Sequence, residues 1–187
     1  MFSQIPQSTF EEMQLNAGML LKTFDQTGVT QVKDADIICA TTGGITASCV
    51  PKYSDLGADV DNCPDNTKEL KHLDGWDCKM SFTSLGVAPS HIKLALGVAD
   101  VDGDNDSKIT PRSTLKQEDF ADVWWVGDRS DGGLVAIQLK NALSTGGFSL
   151  KTTKNGKGQI SVELTGHVSI SAQTEVPMVF YSKEAAA

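Results

Sequence analysis

Residues 146–170, GGFSLKTTKNGKGQISVELTGHVSI, constrain the fold more than any other stretch of this chain. Ile160, Val162, Leu164, Val168 and Ile170 share one parity; Gln159, Ser161, Glu163, Thr165, His167 and Ser169 share the other. Strand side chains alternate between faces, so the pattern predicts a strand over 159–170 with one apolar and one polar face. Its 12 residues are about twice the usual strand length. Phe148, Leu150 and Thr152 keep one parity in the preceding run, which predicts an antiparallel partner joined through a tight turn at Asn155-Gly156. A two-residue loop there would set Leu150 against Ser161, apolar against polar. A three-residue loop with a glycine bulge sets Leu150 beside Ile160 or Val162, and is the turn expected. Lys151, Lys154 and Lys157 then gather near the tip, a basic patch on a chain with 24 acidic and 16 basic residues. A long, two-faced hairpin with no catalytic residues along it reads as a surface for building an assembly.

The length of 187 residues suits one domain that buries roughly 70% of its unfolded surface. The expected extent is a single domain over 1–184, with an N-terminal arm at about 1–12 and a long loop at 54–67. Residues 185–187, all alanine, carry no structural logic and read as an appended scar. A net charge of -8 argues against a nucleic-acid-binding face, although an acidic wall lets DNA slide past without sticking. No apolar run approaches the ~20 residues that span a bilayer, so no membrane partner is expected. The start, MFSQIPQSTFEEMQ, lacks a basic segment followed by an apolar core, so synthesis in a cytosol is expected. Cys39, Cys49, Cys63 and Cys78 are spaced 10, 14 and 15 apart with no CxxC. Two disulfides in any of three pairings are conceivable, but free, partly buried thiols are the expectation for a cytosolic chain of this size.

Further strands are expected over 13–21, 37–42, 46–53, 68–85, 123–126, 134–139 and 176–181. Gly43-Gly44 reads as a turn, and Gly75 as a bulge or corner. Between them lies 54–67, SDLGADVDNCPDNT, with Asp55, Asp59, Asp61 and Asp65 and no basic residue. It is about as long as structureless loops in compact domains usually get, and longer ones tend to be functional. Pro89 suits a first helical position, and Ile92, Ala95, Leu96 and Ala99 follow at i, i+3, i+4 and i+7. The fold class expected is mainly β: a β-sandwich or barrel-like core with one flanking α-helix and long hairpins.

DVDGDNDSKIT at 100–110 places Asp102, Asp104 and Asp106 at positions 1, 3 and 5 of an EF-hand loop. The preceding segment reads as helical. Ser107 replaces the turn glycine, Ser113 replaces the closing Glu, and Pro111 sits where the exiting helix should begin. A solvated acidic turn is the expectation; a calcium-stabilised β-sandwich binding module is the alternative. His72, His91 and His167 have no zinc spacing, and His167 reads as an interface or solvent residue. Nucleophile-elbow, phosphate-loop and dinucleotide motifs are missing from the sequence, so no catalytic residues, no metal and no cofactor are expected. A hydrolase would rest only on the general supply of Ser, His and Asp. Trp124-Trp125 puts indoles on opposite strand faces, one for the core and one for a subunit contact.

Several segments, in order, resemble the major tail tube proteins of long-tailed, non-contractile (siphovirus-type) bacteriophages. They are DADIICATTGGI, HLDGWDCKMSFTSLG, HIKLALG, LKQEDF followed by WWVGD, and NALSTGGFSLKTTKNGKGQISVELTGHVSI followed by AQTEVPMVFY. The resemblance covers roughly 10–181. It implies a structural virion protein that forms hexameric rings, with hairpins joined into an inner β-barrel and rings stacked through an extended loop and terminal arms. It implies a tube that first holds a tape-measure protein and later conducts DNA without binding it specifically. Tail-tip and tail-terminator proteins are the other implied partners, and the phage tail the implied location. On this likeness Asp55, Asp59, Asp61 and Asp65 belong to the ring-stacking loop. Lys151, Lys154, Asn155, Gly156 and Lys157 form a hairpin tip at a subunit contact. Tube proteins of contractile or secretion systems are near neighbours of this reading.

Overall fold

A computed structural model describes residues 4–27, 32–105 and 107–185. In chain order the elements are β1 (Gln14–Leu21), β2 (Thr41–Asp55), β3 (Lys71–Ser84), α1 (Pro89–Leu96), β4 (Ala99–Val101) and β5 (Ile109–Pro111). Then come β6 (Ala121–Arg129), β7 (Leu134–Ser144), β8 (Ser149–Lys151), β9 (Gln159–Thr165) and β10 (Met178–Lys183). All pairings are antiparallel. One layer runs β1-β6-β7-β10 and the other β2-β3-β9-β8, while β4 and β5 form a separate hairpin. The layers are continuous through β7. Leu134–Leu139 pair with β10, and Leu143 and Ser144 cross to Thr165 and Leu164 of β9. The result is mainly β and sandwich-like, with one helix, as the sequence led us to expect.

Strand alternation builds the core. Cys78, Met80 and Phe82 of β3 and Ile160, Val162 and Leu164 of β9 are each at most 5% exposed. They meet Leu20, Val123, Leu139, Ala142 and Met178 from the other layer. Each such side chain is worth about 1.5–3 kcal/mol of burial, an upper estimate because the unfolded chain is itself partly compact. The outer face of β6 feeds a second cluster, where Trp124 packs with Leu21, Val126 and Ala136 and stacks on Tyr181 at 5.6 Å. Helix α1 starts on Pro89 and buries Ala95 against the main core. It stops at Gly97, whose φ of +73° favours glycine and where a side chain would meet the Ser144 carbonyl at 3.1 Å.

Four expectations need correction. The strand predicted over 159–170 ends at Thr165, and Ile170 is 88% exposed in a 3-10 turn. The edge of β7 along which β9 would continue is taken by β10, so the chain leaves the sheet at Gly166. Gly43-Gly44 is a bulge inside a continuous β2, not a turn: Thr42 pairs with Thr83 and Ile45 with Phe82, and both glycines have φ near +78°. The loop predicted from residue 54 starts later, because Ser54 and Asp55 still pair with His72 and Lys71. Leu150 does pair with Ile160, the register expected of a bulged turn, but the connection spans 152–158 rather than three residues. At Gly75 a bulge is present: Lys52 pairs with Gly75 and Tyr53 with Leu73, and Asp74 is the extra residue.

Candidate assembly surface

The longest hairpin is β2–β3, and only its inner half belongs to the sandwich. β9 pairs with β3 from Lys79 to Ser84. Beyond Cys49 and Cys78, no third strand pairs with it among the described residues, so it extends as a two-stranded arm. The pairs Cys49/Cys78, Pro51/Trp76 and Tyr53/Leu73 continue the alternation whose inner members, Met80 and Phe82, are core. On the arm this apolar face has no cover. Tyr53 is 58% and Trp76 39% exposed, and Leu56 and Val60 at the tip are also exposed. The other face carries exposed Val50 among polar groups, with Lys52 4.0 Å from Asp77 and the Ser54 hydroxyl donating to Asp74 at 2.5 Å. A two-stranded hairpin is marginal by itself in water, which makes this apolar face a candidate contact surface.

The acidic segment forms the arm's tip. Asp55 accepts from the amides of Gly57 (3.0 Å) and Asn66 (3.2 Å) and lies 3.5 Å from the Lys71 ammonium. The Gly57 amide, more than any other group, holds its carboxyl below the ordinary value. Asp55 therefore shapes the tip, while Asp59, Asp61 and Asp65 are exposed on it. The basic tip lies at the other end of the same layer, since β9 starts opposite Ser84. There Lys151, Lys154, Asn155, Gly156 and Lys157 are all exposed, and Asn155 has φ +61° within the turn. The 14 residues of β3 separate the two ends by ~45 Å at about 3.3 Å per residue.

The outer face of this layer is polar across three cross-strand rows: Ser48, Lys79 and Thr165; Thr46, Ser81 and Glu163; Thr42, Thr83, Ser161 and Ser149. Lys79 bonds Glu163 at 3.4 Å, and the hydroxyls of Thr145 and Thr165 are 2.7 Å apart. A groove of about 470 Å³ runs along this face between Gly43-Gly44 and Gly146-Gly147. What it offers is hydrogen bonding from hydroxyls with balanced charge. Among the described residues no strand pairs with the outer edges of β2, β8 or β10, so both layers have open margins.

The remaining motif residues sit elsewhere. Asp102 and Asp104 lie in the turn of the β4–β5 hairpin, and α1 ends at Leu96 instead of leading into that turn as expected. Asp102 accepts from the Asp104 amide at 3.1 Å and pairs with Lys108 at 3.5 Å. Asp106 lies outside the described residues. Among the described residues no group of three or more His, Cys, Asp or Glu is placed to hold a metal. His167, expected on a strand face toward an interface or solvent, follows β9 and is half-buried. Its Nδ1 lies 3.1 Å from the Asn141 carbonyl, and its ring meets Phe120 edge-on. Both indoles are used within the chain: Trp124 in the second core, and Trp125 through an Nε1–H donated to the Ala17 carbonyl at 2.9 Å.

No protein-family model matches the chain, and a search of curated proteins finds no match either. Fold and surface define a class: a sandwich-like β domain with a protruding two-stranded arm, oppositely charged ends and a hydroxyl-rich outer face. Among the described residues no helix is long and apolar enough to cross a membrane.

Proposed function

We propose that this chain is a structural, non-enzymatic protein that polymerises head to tail, as the tail tube of a siphovirus-type phage. The observation that carries the reading is the placement of the exposed acidic tip and the exposed lysine tip at opposite ends of one layer, ~45 Å apart. Two patches of opposite charge that cannot meet within a subunit can meet between successive copies. A heterologous contact of this kind repeats into an open polymer instead of closing on itself. Exposed ion pairs contribute only ~0–1 kcal/mol each, so the charges fix polarity and registry. Strength comes from covering the apolar arm face, where Trp, Tyr and Leu supply contact area.

Lateral closure uses the open strand margins. A neighbour's strand laid against an unpaired edge satisfies its amides and carbonyls and removes the aggregation hazard. In the hexameric ring that the resemblance implies, the hydroxyl-rich outer face of β2, β3 and β9 lines the channel. Hydroxyls and balanced Lys79–Glu163 charge on an acidic protein leave DNA unbound as it passes. The tape-measure protein, the tail-tip and terminator partners and the virion location belong to the same proposal. Removing residues 56–66 tests it. The subunit should still fold, because the sandwich core lies outside the deletion, but should form no tubes. Normal tubes from the deletion variant would overturn the reading.

A further inference from the structure

We infer that Cys49 and Cys78 form a reversible dithiol–disulfide pair that ties the two strands at the root of the arm. The cysteines are free in the structure, with the two sulfurs 3.0 Å apart. They are direct partners across the β2–β3 ladder. Opposed residues of an antiparallel pair have Cα atoms ~4.5–5.5 Å apart, inside the ~4.4–6.8 Å range that disulfides occupy. Closing the bond therefore needs sulfur movement and no change of strand register. The bond would fall where the third strand ends, since β9 pairs with β3 no further than Lys79.

The other two cysteines are placed elsewhere. Cys39 is buried before β2, where the next residue, Ala40, accepts from the Leu85 amide at 3.0 Å, and Cys63 sits in the arm's tip beside Thr67. The 15 residues of β2 hold these two sites ~50 Å apart. Of the three pairings open to the sequence, each with two disulfides, none is made in full, and one bond remains.

The chemistry is thiol–disulfide exchange with a small-molecule disulfide of the oxidised-glutathione class. Cys49 is half-buried and within reach of solvent, whereas Cys78 is 1% exposed and its thiol is pushed up to about 12, first by burial and then by Cys49. Cys49, as thiolate, attacks the external disulfide. That S–S bond breaks, one external thiol leaves, and a mixed disulfide remains on Cys49. Cys78 then gives up its proton and attacks Cys49 Sγ, expelling the second external thiol. Two protein thiols are oxidised and one external disulfide is reduced to two thiols, so atoms and electrons balance.

The test treats the full-length folded protein with oxidised glutathione, blocks remaining thiols and maps the peptides by mass spectrometry. The expected result is a Cys49–Cys78 linked peptide, no retained glutathione, two blocked thiols at Cys39 and Cys63, and reversal by dithiothreitol. Hydrogen exchange of residues 50–55 and 71–77 should slow on oxidation, and Cys49→Ser should leave Cys78 unreacted. Glutathione held on Cys49 beside a free Cys78, a link to Cys39 or Cys63, or four unreacted thiols would each overturn the inference. The wild-type map decides even if the variant misfolds.

Discussion

Tyr53→Ser separates a side chain that builds the subunit from one that joins subunits. Tyr53 is 58% exposed on the arm's apolar face. A large aromatic can bury ~150–250 Å², so roughly 90–145 Å² remains for a neighbouring copy. At ~25 cal/mol per Å² this is about 2–3.5 kcal/mol per contact, or roughly 30–300-fold in association. The cost to the isolated subunit is confined to the arm and is on the order of 1 kcal/mol, the span of strand preferences. That corresponds to about 2–4 °C in Tm for a chain of this size. Met80→Ala is the comparison, since Met80 lies on the same face of the hairpin but is fully buried. It should cost about 2–5 kcal/mol in subunit stability. Sedimentation velocity across a concentration series gives the assembly threshold, and thermal unfolding gives subunit stability. Tyr53→Ser should raise the threshold at least ~30-fold and barely move Tm. An unchanged threshold, or a Tm loss as large as that of Met80→Ala, would refute the division between arm and core.

Other outcomes follow from the same geometry. The double variant Lys154→Glu, Lys157→Glu should lower tube yield, and adding Asp59→Lys and Asp61→Lys should restore it; tube length indifferent to these changes and to salt would rule out the charge contact. Asp55, Asp119 and Glu175 all titrate below their ordinary values, held chiefly by the Gly57 amide, the Lys116 amide and the Lys140 ammonium respectively. A depressed folded pKa gives stability that is present above the unfolded value and lost as pH falls through the folded one. Tm should therefore decline below the ordinary values of 3.8 for Asp and 4.5 for Glu, and a Tm that rises on acidification would contradict these assignments. Gly97→Ala, at φ +73° and against the Ser144 carbonyl, should destabilise by more than ~1 kcal/mol in a denaturant titration. Calcium at millimolar concentration should leave Tm unchanged, whereas a concentration-dependent rise would favour the metal-stabilised module.

Parity made the core of β9 and of β3 from Cys78 to Ser84 legible, because there alternate residues are buried and those between them are polar and only partly covered. It also narrowed the β8–β9 register to Ile160 or Val162 opposite Leu150, of which Ile160 is the partner. What parity does not encode is where a neighbouring strand runs out. Val168 and Ile170 prolong the alternation beyond Thr165, yet β10 already occupies the edge they would need. The arm stayed hidden for the opposite reason. Gly43-Gly44 reads as a turn that divides two short strands, but the pair is a bulge inside one continuous β2, an edge strand that also accepts Pro51. The acidic and basic patches were visible as composition. Their separation to opposite ends depends on β9 pairing with β3, a long-range contact that no local pattern reveals.

Electron cryomicroscopy of the purified chain over rising concentration bears most directly on head-to-tail assembly. The expected images are rings and stacked tubes with a central channel, successive subunits joined acidic tip to lysine tip and β2, β3 and β9 facing the lumen. A monomer at every concentration, or a closed two-fold dimer with the charged tips free, would contradict it.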